Sequence, residues 1–231
     1  MRCVRTILLV GALALLNGCE TSGLLDGYES SSPGAETIAS GLREALSVGS
    51  GRVVDALGTA GGFTGSPFHI PLPDELQAAR GIAARFGLGG IFDELEAKMN
   101  EAAEAAVPEA RAIFLGAITS MTFEDAMAVY NGPPDAATRY LRASTEKTLE
   151  ARMRPLIDEE LDQVGATRTL ERLLNAYNAL PLVDPVDADL AGHVSNYASE
   201  AVFTQLAREE AAIRDDPLKR STELLRRVFG P

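Results

Sequence analysis

Carboxylates with polar companions at helical spacing are the groups through which this chain could do chemistry. Asn100, Glu104 and Arg111 recur at intervals of four and seven, which places them along one side of a helix. Glu209 and Glu210 fall on the line of Val202, Phe203, Leu206 and Ile213, so at least one of the two points inward. A buried carboxylate needs a partner, and Arg214 one turn on, or Arg220 beyond it, can supply one. Thr138, Tyr140 and Thr145 form a third polar group among apolar positions. Such residues are either structural pins that fix helix register or the lining of a ligand site, with the structural role favoured. Acids alone can perform acid–base catalysis, and a hydrolase or transferase built here would use carboxylates such as Glu104 and Asp125. No nucleophile–base pair is recognisable, so no catalytic residue is assigned and the leading expectation is a protein that binds without catalysing.

The familiar signatures of other chemistries are missing. There is no Gly-x-x-x-x-Gly-Lys loop, no His-Glu-x-x-His and no Gly-x-Ser-x-Gly. Asp187 to Gly192 begins like a calcium loop, but Ala191 and Ala198 stand at the fifth and twelfth places where ligands belong, so the segment reads as a helix cap. A helical di-iron site needs Glu-x-x-His, and the residue three before His193 is Leu190. His69, beside Phe63 and Phe68, would pair with Ser66 only if an acid were at hand, and none is identified; it and His193 read as packing or surface residues. Asp158-Glu159-Glu160 with Asp162 is a solvated helix face. No metal and no cofactor is expected.

The amino end carries a different message. Arg2 and Arg5 precede an unbroken apolar run from Ile7 to Leu16. That run is far short of the roughly 20 residues a membrane-spanning helix needs, and it suits the core of an export signal. Leu16-Asn17-Gly18-Cys19 resembles the lipobox of bacterial lipoproteins, Asn17 being the one departure. The resemblance implies cleavage before Cys19 and acyl chains on its sulfur. Glu20, in place of the aspartate associated with inner-membrane retention, implies the periplasmic leaflet of the outer membrane. Residues 1–18 are then a signal peptide, 19–34 a lipidated cysteine with a Gly/Ser-rich flexible tether, and 35–231 a helical domain.

Composition narrows the rest. The only cysteines are Cys3, lost with the leader, and Cys19, so the mature body has no thiol. That excludes cysteine nucleophiles, thiolate zinc sites, iron–sulfur clusters and covalently attached haem. Tryptophan, a favoured anchor for quaternary amines, is absent. The net charge of −12 becomes more negative once Arg2 and Arg5 leave. Such a surface repels phosphate backbones, so no nucleic-acid partner is expected. The expected partners are the membrane, through lipid on Cys19, and an envelope protein or a small apolar ligand.

From Ala35 onward apolar residues recur at helical spacing. Helices are predicted over Glu36 to Val48 and Arg52 to Leu57, from Pro73 to Gly87, from Ile91 to Pro108, around Ile113 to Met121 and from Thr122 to Tyr130. Thr122 and Asp125 make a variant capping box at the start of the last of these. Asp135 caps a long helix that Pro155 kinks or interrupts. Others follow over Thr169 to Leu180, from an Asp187 or Asp189 cap to Ile213, and from Asp216-Pro217 to Gly230. The sum is an all-α bundle of about nine helices in one domain, with a single long Gly/Pro-rich loop at residues 61–73 and at most a brief β-ladder at Phe68 to Ile70.

Four landmarks together resemble the domain-of-unknown-function 4197 family of bacterial secreted proteins and lipoproteins. They are Asn100-Glu101-Ala102-Ala103-Glu104-Ala105-Ala106, Met121-Thr122 with Asp125-Ala126, Ala136-Ala137-Thr138-Arg139-Tyr140, and Glu209-Glu210 with Ile213-Arg214 through Pro217 to Val228-Phe229-Gly230. The resemblance runs from about Gly41 to Gly230 and implies a helical domain with no established activity.

Overall fold

A computed structural model describes residues 34–229, which belong to one compact unit; the leader, Cys19 and nearly all of the tether lie outside them. Among the described residues the chain forms nine α-helices and no strand. They are α1 (Ala35–Leu57), α2 (Asp74–Ala83), α3 (Gly89–Ala106), α4 (Ala110–Ser120), α5 (Phe123–Tyr130), α6 (Ala136–Gln163), α7 (Ala166–Asn178), α8 (Leu190–Asp215) and α9 (Glu223–Phe229). Short 3-10 turns follow α2, α3 and α8. No single described helix is long and apolar enough to cross a membrane.

The longest helices, α6 and α8, pack along each other. On this pair α3 and α4 lean against α6, α1 lies against α8, and α7 closes over α3 and α6. Phe63, Phe92, Phe114 and Phe203 are fully buried at the centre, with Phe114 edge-on to Phe203 at 6.0 Å between ring centroids. Each such side chain contributes about 2–3 kcal/mol of transfer free energy, so the core depends on the helices keeping their phase.

Phase explains two departures from expectation. The predicted break between two segments at Gly49-Ser50-Gly51 is absent, and α1 runs through. Glycine costs a helix about 1 kcal/mol, but Gly49 and Ser50 sit on the buried side. Their small size lets α8 approach, with Ile213 beside Gly49. Pro155 likewise does not interrupt α6, because Leu149, Met153, Ile157 and Leu161 keep the buried stripe in step across it.

The caps divide. Thr122 and Asp125 form the reciprocal capping box. At α8 the cap is Asp189, whose Oδ1 accepts from Gly192 N–H at 2.9 Å. Asp135 does not cap α6: its carboxylate pairs with Arg139 at 2.8 Å, and the open N–H groups of α6 are met from another helix. Asp216-Pro217 does not open α9 either, since Pro217–Lys219 is a separate turn.

Residues 58–73 connect α1 to α2 as a largely exposed segment that is anchored inward by Phe63, Ile70 and Leu72, all buried. No ladder forms at Phe68 to Ile70. Where an irregular segment turns inward its backbone polar groups must find partners, and side chains provide them at Phe63 and Ile70.

Candidate functional site

Two neighbours on α3 hold that loop. Glu104 is buried and its Oε1 accepts three backbone N–H groups, from Gly61 at 3.1 Å, Phe63 at 3.0 Å and Thr64 at 2.9 Å. The convergence of three N–H groups on one oxygen needs a tight loop, and Gly61 at φ +91° supplies the left-handed residue. One turn earlier Asn100, fully buried, pairs with Ile70 as a neighbouring strand would. Its Oδ1 accepts from Ile70 N–H at 2.9 Å and its Nδ2 donates to Ile70 O at 2.9 Å and Glu96 O at 2.8 Å.

Arg111 does not belong with them. It is exposed on α4, donating to Gly51 O and paired with Asp55, because the turn at Val107–Glu109 containing Pro108 resets the helix phase after α3. Asp125 stays in its capping box and joins no interior network. Tyr140 packs against the core, while Thr145 donates to Leu141 O at 2.6 Å within its own helix. Of the third polar group, only Thr138 reaches a carboxylate.

That carboxylate is Glu210. From α8 it caps α6, its Oε1 accepting from Ala137 N–H at 3.1 Å and its Oε2 from Thr138 N–H at 2.9 Å and Thr138 Oγ1 at 2.8 Å. Arg214 donates to Oε1 through Nε at 3.2 Å and Nη2 at 3.0 Å. A negative group at a helix N-terminus is also favoured by the helix dipole. Arg220 takes no part, donating instead to the carbonyls of Ile213 and Arg214 at the end of α8.

Glu209 is different. Its Oε2 is buried and accepts no hydrogen bond. Arg52 of α1 is in ion contact with it, its Nη1 lying 3.7 Å away and directing a hydrogen bond to Lys219 O at 3.4 Å. This pair is an ion contact without a hydrogen bond. Beside it a cavity of about 30 Å³ opens among α1, α6 and α8, walled by Leu42, Leu46, Leu141, Leu206 and Ile213, with Ser50, Thr138, Glu209, Glu210 and Arg214 at its polar side. That volume matches one water-sized group. An unsatisfied buried acceptor costs about 1–3 kcal/mol, a cost that the ion contact with Arg52 offsets in part.

The family model described as "Protein of unknown function (DUF4197)" matches residues 32–230. The chain belongs to this family. Nothing among curated proteins or solved structures matches it. In this DUF4197 chain three of the four landmarks noted in the sequence hold interior polar contacts, and the fourth is an exposed helix cap. Asn100 and Glu104 fix the loop, Thr122 and Asp125 start α5, and Ala137, Thr138, Glu210 and Arg214 join α6 to α8.

Sequence reasoning missed two partners in the DUF4197 chain. Arg52 lies at the far end of the chain from Glu209, and no spacing rule connects them. Glu96 of α3 supplies the acid not identified for His69, at 2.6 Å from Nε2, and also pairs with Arg80 at 3.2 Å. Ser66 completes no triad, because its hydroxyl donates into the loop to Gly62 O at 2.8 Å and accepts from Phe68 N–H at 3.0 Å. His193 donates from Nε2 to Pro71 O at 2.8 Å and packs on Tyr197. Among the described residues no cluster of three or more His, Cys, Asp or Glu is placed to hold a metal.

Proposed function

We propose that this DUF4197 protein is an exported lipoprotein, attached through acyl chains on Cys19 to the periplasmic face of the outer membrane, whose helical body binds a small, mostly apolar ligand without transforming it. The observation that carries the binding role is the apolar cavity among α1, α6 and α8, lined on one side by Glu209, whose Oε2 is in ion contact with Arg52 but accepts no hydrogen bond. Support for a non-catalytic body comes from the other acids. Glu104 Oε1 and both oxygens of Glu210 are taken up by N–H and O–H donors of the fold, and Asp125 by its capping box. They are therefore poorly placed to exchange protons with a substrate. The anchor is supported by the short apolar leader and by Leu16, Gly18 and Cys19; several acyl chains hold a protein at a bilayer where one is marginal.

Native mass spectrometry of the protein purified from bacterial envelopes tests both parts. The expected spectrum shows a chain beginning at Cys19 with covalent acyl mass and a non-covalent small-molecule adduct. Ala45→Leu, which fills the cavity, keeps the acyl mass and loses the adduct; Gly49→Ala is the milder filling variant if Ala45→Leu folds poorly. A different first residue or no acyl mass overturns the anchor. A wild-type spectrum without the adduct, or filled variants that retain it, overturns the cavity.

A further inference from the structure

The outward face of α4 is poor in charge on a molecule rich in it. The chain has 33 acidic side chains, yet the eleven residues of α4 include no carboxylate and one cation, Arg111, which is paired with Asp55. Leu115 stands 40% exposed on this face beside Ala112, Gly116 and Ser120, themselves exposed. The space above Gly116 is open, since a Cβ added there would meet nothing within 4 Å. α6 continues the face with Ser144, Thr148 and Ala151, also exposed. Between the two helices runs a groove of two hollows, about 340 and 430 Å³, that share Ala112, Ile113 and Arg152. Exposed apolar surface from which charge is depleted is the mark of a protein–protein contact, and a lining of small residues lets another helix approach closely.

Two charges in the groove point to what covers it. Glu109, on the turn leading into α4, and Arg152 of α6 line the same hollow and are exposed, and neither forms an ion pair or hydrogen bond with the described residues. A twofold arrangement makes each contact twice, residue i of one copy meeting residue j of the other and j meeting i. A face that carries both a free acid and a free base is therefore complementary to itself. We infer that the α4–α6 groove is the interface of a homodimer, in which Arg152 of each copy pairs with Glu109 of the other. α4 of each copy then lies over α6 of the other. Within one chain the two helices are antiparallel, Ser120 sharing one hollow with Ser144 and Glu109 the other with Leu156. The same symmetry therefore carries Leu115 toward Pro155 and Leu156 of the second copy, where it loses its exposure to water. This contact requires neither the interior cavity nor lipid on Cys19.

Sedimentation equilibrium of the chain from residue 19 onward, with Cys19→Ser so that no lipid drives association, tests the interface. The wild type should sediment as a reversible dimer. Arg152→Glu sets acid against acid at both symmetry-related contacts, and Glu109→Arg sets base against base, so each should weaken association by about tenfold or more. Both side chains are exposed, so the melting temperature of the monomer should not change. An equimolar mixture of the two single variants should associate as the wild type does, because each acid again faces a base across the interface. Leu115→Asp should abolish the dimer. A wild type that stays monomeric at millimolar concentration overturns the proposal, which is also the outcome if the groove serves a different envelope protein. A dimer indifferent to either charge reversal, or a mixture of the variants that fails to recover association, overturns it as well.

Discussion

Removing Glu104 leaves Gly61, Phe63 and Thr64 without an acceptor for their N–H groups, and the cost can be worked from their burial. The bond to Phe63 is buried, whereas those to Gly61 and Thr64 are partly so. A buried unsatisfied N–H costs about 1–3 kcal/mol, and partly exposed ones recover some of that from water. The space left by the truncated side chain adds to the loss, so Glu104→Ala should destabilise by about 3–5 kcal/mol. Glu104→Gln keeps an oxygen in place and gives up only the charge assistance of three bonds, about 1–2 kcal/mol in total. Urea unfolding followed by far-UV circular dichroism measures both, as no tryptophan is present for fluorescence. The midpoints should fall in the order wild type, Gln, Ala, with unchanged slope. Hydrogen exchange should quicken first at those three amides. If alanine and glutamine give the same midpoint as wild type, or the three amides keep their protection in the alanine variant, Glu104 does not hold the loop.

Asn100→Leu, close in volume, strips Ile70 of partners for both its N–H and its carbonyl in a buried place. It should cost about 2–4 kcal/mol by the same urea assay; a loss below about 1 kcal/mol would refute the strand-like pairing. Stability should also fall in acid. The Asp189 carboxyl is held below the usual carboxylate range by the Gly192 N–H and then by Arg154, Glu200 by Arg142, Glu94 by Arg172, and Asp125 by the Thr122 N–H. A carboxyl whose folded pKa is depressed contributes stability that is complete above its unfolded value and is lost as the pH falls through the folded one. The melting temperature should therefore be level from pH 7 to about 5 and decline below about pH 4. Asp189→Asn should flatten that decline, and a wild-type melting temperature that holds steady down to pH 3 would contradict it.

What the sequence discloses here depends on how far apart the interacting groups lie. Thr122 and Asp125 are three residues apart, and their capping box is legible from spacing alone. Asn100 and Glu104 are recognisable as interior polar groups because they share a face of α3 with Phe92, Leu95 and Met99. Their targets, Ile70 and the Gly61–Thr64 turn, are set by how α3 meets the loop. Arg111 shows the limit of periodicity: one turn at Pro108 carries it to the exposed side of another helix. Local propensity misplaces the ends and breaks of helices where burial outweighs it, as at Gly49-Ser50-Gly51 and Pro155. The cavity is least legible of all, since Leu42, Leu141 and Leu206 come from three helices and nothing in their own neighbourhoods says that they fail to meet.

Glu104 and Glu210 hold the fold through their hydrogen bonds, whereas Glu209 is proposed to serve a bound ligand, and Glu209→Met tests that separation. Methionine fills similar space and removes the buried oxygen that accepts no hydrogen bond. The melting temperature should stay level or rise by a few degrees, the scale of about 1 kcal/mol in a chain of this size. The small-molecule adduct of protein purified from envelopes should disappear in the same preparation. A variant that melts markedly lower, or that retains the adduct at wild-type occupancy, would show that Glu209 serves the fold rather than a ligand.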